Sequence, residues 1–115
     1  MILRRFALGG LMAALAVPAL ADEPVSEPLA LSRLRACVTS GAAGAPRDSL
    51  AAAVVAVRSL CHPQLTAAYR AADRRVAAAH PRLGADELSA LTRTARRAID
   101  YDLALLVSTQ TGLSQ

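Results

Sequence analysis

Apolar residues recur every three or four positions from Ser26 onward, which is the repeat of one face of an α-helix. No sustained alternation of β-branched and polar residues, the pattern of a half-buried strand, appears in the same stretch. Proline and glycine divide the repeat into four segments. The sequence therefore predicts an all-α fold, a small bundle of three to four Ala-rich helices.

Capping residues mark the ends of the first two segments. The first covers about residues 27–40, with Ser26 as its N-cap and Gly41 as its stop. Asp48 is expected to cap the second segment, and Pro63 to end it. The same proline suits the first turn of a third helix.

The fourth segment is the longest and runs to about Ser108. Asp86 and Glu87 open it, where carboxylates suit the positive end of a helix dipole. Arg96 is placed to pair with Asp100 one turn later. From residue 101 the segment could alternatively form a strand, but a lone strand would have no partner, so we expect helix.

The first 21 residues have the layout of a cleavable secretory signal. Arg4 and Arg5 precede an apolar stretch that Pro18 interrupts and that ends in the triplet Ala19-Leu20-Ala21. Because the stretch is shorter than the roughly 20 residues that span a bilayer, cleavage is favoured over an uncleaved anchor. We therefore expect residues 1–21 to be removed. Residues 22–115 would then form one helical domain in the periplasm or outside the cell, without stable membrane insertion.

Cys37 and Cys61 are the two cysteines of the chain, and each lies on a predicted apolar stripe. In an exported chain such a pair predicts one disulfide, worth about 3 kcal/mol in the chain-entropy model. Two buried thiols, or bonds to another chain, are the alternatives. A plain antiparallel hairpin of the first two helices would leave the cysteines about 13 Å out of register, too far for a bond. The pairing therefore predicts either an extended returning loop or a steep crossing of these helices.

The signal, the short Ala-rich helices and the cysteine spacing carry a family resemblance. The spacing runs from Arg35-Ala36-Cys37 to Leu60-Cys61-His62. Together these features resemble small exported proteobacterial helical proteins of unassigned function that carry one cysteine on each of two helices. The resemblance implies a compartment and a fold and no activity.

Asp102 lies within the apolar stripe of the fourth helix, where an unpaired carboxylate is costly. One hypothesis is a buried acid, paired with an arginine such as Arg58 or poised for proton transfer. The alternative is that the helix ends or turns near Asp100, which would leave Asp102 exposed or bridged.

Arginines on the third and fourth segments could form a basic face if these helices pack side by side. Such a face would suit anionic envelope polymers, because guanidinium groups bind phosphate and carboxylate. The alternative is a solvated surface, because GC-rich codons enrich arginine and acidic residues lie among the basic ones. The candidate residues are Arg70, Arg74, Arg93 and Arg97, with Arg75 and Arg96 beside them.

Charge and aromatic content narrow the class of partner. Without Arg4 and Arg5 the net charge falls from +4 to +2. Past the signal, Tyr69 and Tyr101 are the only aromatic residues, so the chain lacks a platform on which bases could stack. We therefore expect no nucleic-acid partner.

Catalytic and metal-binding patterns are weak. His62 and His80 each precede a proline at a helix boundary, and a metal site would need a third ligand while the cysteines are expected to be paired. The sequence contains no phosphate-binding glycine loop, nucleophile elbow or His-Glu-x-x-His motif. We expect no cofactor, no metal and no enzymatic activity. An enzyme or metal protein built around Asp102, His62 and His80 is one alternative, and an arginine-based binding module is the other. The preferred interpretation is a non-enzymatic protein that acts through contacts with another protein or with its own copy.

Overall fold

A computed structural model describes residues 24–115, which fold into four helices and no strand. The prediction of an all-α bundle is confirmed. The predicted signal peptide and the start of the domain at residue 22 lie outside the described residues. The helices are α1 (Glu27–Ala42), α2 (Leu50–Leu60), α3 (His62–Ala79) and α4 (Ala85–Thr111).

Side-chain caps fix the starts of α1 and α2. Ser26 caps α1 as predicted, since its Oγ accepts a hydrogen bond from the backbone N–H of Leu29 at 3.4 Å. The prediction that Asp48 caps α2 is wrong. Ser49 holds the extended backbone next to the first helical residue, and its Oγ accepts from the Ala52 N–H at 3.0 Å.

Two helices are longer than the sequence indicated. α4 continues past Ser108 to Thr111 and ends at Gly112, whose φ of 76° lies in the left-handed region that glycine adopts without a steric penalty. Gly41 does not stop α1, which runs one residue further. A Cβ on Gly41 would lie 2.9 Å from Leu60 Cδ2, so this glycine lets α1 approach the end of α2.

α3 runs antiparallel to both α1 and α4. Against α1, Arg75 pairs with Glu27 near one end, and Cys61, just before α3, bonds to Cys37 further along. Against α4, Tyr69 contacts Asp100 and Asp73 contacts Arg96. Consequently α1 and α4 run parallel to each other. α2 begins near the far end of α4, where Arg47 donates to the Thr111 carbonyl at 2.9 Å.

The core shared by the helices is built from small side chains. The largest fully buried ones are three valines and a cysteine. Each buried alanine removes little apolar area from water, so the core stabilises the fold only modestly for a chain of this length. The central core residues are Leu34, Val38, Ala42, Leu50, Ala53, Val57, Cys61, Leu65, Ala68, Ala72, Ile99, Leu103 and Val107.

The predicted disulfide is confirmed. Cys37 and Cys61 are joined, with their Cα atoms 5.9 Å apart. As the register required, α1 and α2 do not form a plain hairpin, because α1 lies against the C-terminal end of α2. The bond fits a protein that resides outside the cytoplasm. Among the described residues no helix is both long and apolar enough to cross a membrane.

Candidate functional site

An apolar groove runs between the parallel helices α1 and α4 and has a volume of about 350 Å³. We call it the α1/α4 groove. Its lining is Leu31, Leu34, Arg35 and Val38 from α1 and Ile99, Asp102, Leu103, Leu105, Leu106 and Thr109 from α4.

Asp102 is exposed at this groove, so the hypothesis of a buried acid is wrong. The stripe to which it belongs is buried at Ile99 and Leu103. At Asp102 the same stripe faces the open groove instead of a neighbouring helix. The alternative was right that Asp102 is exposed. Its break in the helix near Asp100 is wrong, since α4 continues through this position. Arg58 does not pair with Asp102 and contacts Asp100 instead.

Opposite charges lie on the two walls of the α1/α4 groove. Arg35 projects from α1 and Asp102 from α4, and both side chains are exposed. Within residues 24–115, neither side chain has an ion-pair partner inside 4 Å. The groove is therefore apolar along its floor, with one cation and one anion available at its walls.

Apolar side chains protrude beside the groove on α4. Leu105 is 53% exposed and Tyr101 is 69% exposed. Sequence reasoning missed both residues and also missed Arg35. Helical spacing does contain the signal for Arg35, since it lies four residues after Leu31 and three before Val38, on the same side of α1.

A polar cluster joins α2, α3 and α4 on another side of the bundle. Arg58 Nη1 donates to Asp100 Oδ1 at 2.9 Å, and the Tyr69 hydroxyl donates to the same carboxylate oxygen. Burial raises the pKa of Tyr69, and the hydrogen bond to Asp100 raises it further. The bond to Asp100 likewise raises the pKa of Arg58. Three helices thereby meet at one carboxylate, and the cluster aligns them.

The predicted pairing of Arg96 with Asp100 is wrong. Arg96 Nη2 contacts Asp73 Oδ2 across the α3/α4 interface at 2.5 Å, and its guanidinium lies 5.0 Å from the centre of the Tyr69 ring. The Asp100 carboxylate is already engaged by Arg58. The bond to Asp73 raises the pKa of Arg96.

The candidate anion-binding arginines are all exposed but differ in their contacts. Arg74 donates to the Val25 carbonyl at the start of α1, whereas Arg93 and Arg97 donate to Ser89 and Thr94 on their own helix. Within residues 24–115, the Arg70 side chain donates no hydrogen bond. Arg74 therefore reaches toward the start of α1, while Arg93 and Arg97 bond within their own helix. The anion-binding role of the four arginines stays a prediction.

His62 and His80 lie at opposite ends of α3, and both are exposed. An 18-residue helix is about 27 Å long, so the two imidazoles do not meet in one site. The structure therefore does not assemble the alternative centre of Asp102 with both histidines. No group of three or more potential metal-ligating side chains occurs within residues 24–115.

Comparison with protein-family models, with curated proteins and with solved structures gives no match to this chain. The resemblance to small exported proteobacterial proteins therefore stays a prediction.

Proposed function

We propose that this protein is a non-enzymatic periplasmic or secreted protein whose function depends on self-association through the α1/α4 groove. The observation that carries the proposal is a pair of opposite charges, Arg35 and Asp102, on the two walls of one apolar groove, neither with an ion-pair partner among residues 24–115. A surface that carries both signs is complementary to a second copy of itself.

A twofold axis along the groove satisfies both charges. α1 and α4 run parallel, so this axis places α1 of one copy opposite α4 of the other. Arg35 then faces the partner's Asp102, and Asp102 faces the partner's Arg35, since contacts across a twofold interface occur in reciprocal pairs. One pairing of surfaces thus creates two ion pairs.

In the proposed dimer, exposed apolar side chains of α4 fill the groove of the other copy. Leu105 lies at the groove wall and is 53% exposed, so in a twofold pair it packs against the partner's α1. A stable dimer buries about 800 Å² on each partner. α4 has 27 residues and is about 40 Å long, which gives an interface of that size room along one helix.

Self-association would also add stability to a folded state whose core consists of small side chains. Binding between folded copies stabilises the folded state by mass action. We therefore expect the apparent stability of the protein to rise with its concentration.

Charge reversal tests the proposal. In a twofold dimer, Arg35→Asp creates two repulsive acid contacts and should raise the dissociation constant about tenfold or more, and Asp102→Arg should do the same with two bases. The double variant restores both pairs with reversed polarity and should recover most of the affinity. Sedimentation equilibrium over protein concentrations from about 10 μM to 1 mM covers the relevant range of affinity.

Arg70→Asp is the matched control, because it makes the same change in net charge at an exposed site on α3. It should leave the dissociation constant within about twofold of the wild-type value. Single reversals that bind like the control would contradict the proposal, as would a double variant that binds no better than the single ones. Dissociation constants unchanged by Leu105→Glu would exclude the α1/α4 groove as the contact surface.

A further inference from the structure

The two cysteines of the disulfide differ in their exposure to solvent. Cys61 lies between α2 and α3 and is 0% exposed. Cys37 lies on α1 and is partly exposed. An attacking thiolate must reach the sulfur it attacks, so the two ends of this bond are not equivalent.

Cys37 lines an open cleft on the side of α1 away from the α1/α4 groove. This Cys37 cleft has a volume of about 560 Å³. The small residues Ala36 and Gly41 line the cleft, and Leu60, which is 63% exposed, forms an apolar wall. Arg33 also lines it and has no carboxylate within ion-pair distance among the described residues. The positive charge of Arg33 at the cleft favours the approach of a partner's negatively charged thiolate.

We propose that the Cys37 cleft is a thiol–disulfide exchange site, through which a dithiol partner opens the disulfide as its substrate. The partner's thiolate attacks Cys37 Sγ and forms a mixed disulfide. The bond between the cysteines breaks, and Cys61 leaves as a thiolate that takes up a proton. The partner's second thiol then attacks the mixed disulfide and releases Cys37. Two electrons pass from the dithiol to the protein disulfide, and the partner leaves oxidised.

Opening the bond would also control the α1/α4 groove, and this consequence rests on the proposed function. α1 buries only Ala30, Leu34, Val38 and Ala42, so small side chains and the disulfide together hold it in place. α1 is one wall of the groove and carries Arg35. Reduction is therefore expected to loosen that wall and weaken self-association.

The exchange site is tested with 2-mercaptoethanol, whose only charge is that of its thiolate. Oxidised protein is exposed briefly to an excess of this monothiol, quenched with acid and mapped by mass spectrometry. We expect the adduct on Cys37 at least tenfold more often than on Cys61. Equal labelling, or a preference for Cys61, would overturn the proposal.

Arg33→Glu tests the contribution of the cleft. We expect this variant to slow adduct formation several-fold, whereas Arg70→Glu, with the same change in charge at an exposed site on α3, should not. Equal rates in the two variants would show that the cleft does not favour the thiolate and would overturn its assignment as a site.

Two further readouts separate this inference from the proposed function. Adduct mapping on Leu105→Glu should give the same preference for Cys37, because the reaction does not require a dimer. Sedimentation of reduced protein should show a dissociation constant raised at least tenfold over that of oxidised protein. Oxidised wild type that is monomeric would contradict the proposed function and leave the mapping result standing. Equal dissociation constants for oxidised and reduced protein would overturn the inference that reduction weakens self-association.

Discussion

Reduction of the Cys37–Cys61 disulfide should remove a large part of the stability of the bundle. The cysteines are 24 residues apart, and closing a loop of that length lowers the entropy of the unfolded chain by an amount worth about 3 kcal/mol. A domain of this size has a total stability of about 5–14 kcal/mol. The loss is therefore about a fifth or more of the total, and the core of small side chains offers little to offset it.

Urea unfolding followed by helical circular dichroism measures this loss. With a denaturant dependence of about 1.5 kcal/mol per molar urea, 3 kcal/mol lowers the midpoint by about 2 M. Oxidised and reduced protein should be compared at one low concentration, so that self-association does not contribute.

Two variants, both measured under reducing conditions, separate the cross-link from the packing of the sulfurs. Cys37→Ala should match reduced wild type within about 0.5 kcal/mol, because Cys37 is partly exposed. Cys61→Ala should be less stable by about a further 1 kcal/mol, because Cys61 is fully buried and its loss leaves a cavity. Oxidised and reduced wild type that agree within 1 kcal/mol would refute the reasoning that the bond supports a thin core.

Two further predictions concern the polar cluster and the close contact at Gly41. The folded state raises the pKa of Tyr69 above its ordinary value, so it binds more protons than the unfolded state, and stability should fall as pH rises through and above about 10. Unfolding free energies measured from pH 8 to 11 should show this fall in wild type and a smaller fall in Tyr69→Phe. Tyr101→Phe, at a residue that is 69% exposed, is the control and should behave like wild type. Equal dependence of the unfolding free energy on pH in all three proteins would contradict the prediction. Gly41→Ala should stabilise the protein by up to about 1 kcal/mol in urea unfolding, because alanine favours helix and the contacted Leu60 Cδ2 is the mobile end of an exposed side chain. A loss of more than 1 kcal/mol would mean that Leu60 cannot move aside.

Local pattern was enough to predict the helices and the disulfide. Apolar spacing reports directly on which face of a helix is buried, so the four segments and the N-cap at Ser26 were recovered. The disulfide followed from two cysteines on buried stripes. Its register also excluded a plain hairpin of the first two helices, because the rise per residue of a helix is fixed.

The environment of single side chains could not be predicted in the same way. Asp102 lies on the apolar stripe, and its exposure depends on how closely α1 approaches α4, which is a property of packing. Arg96 could reach Asp100 on its own helix, but Asp73 on α3 was nearer once the helices met. Gly41 suggested a helix stop because glycine often ends helices. Its closeness to Leu60 arises only in the folded bundle and could not be read from the sequence. The α1/α4 groove was likewise missed, since it is formed by two helices distant in the chain.

The central claim is that a second copy of the chain fills the α1/α4 groove. The most direct test is the light-scattering mass of oxidised wild-type protein, measured as its concentration is raised from about 10 μM to 1 mM. The mass should approach twice that of one chain at the upper end, and adding salt should lower it, because the ion pairs of Arg35 and Asp102 are screened. A mass that stays at that of one chain throughout would contradict the claim.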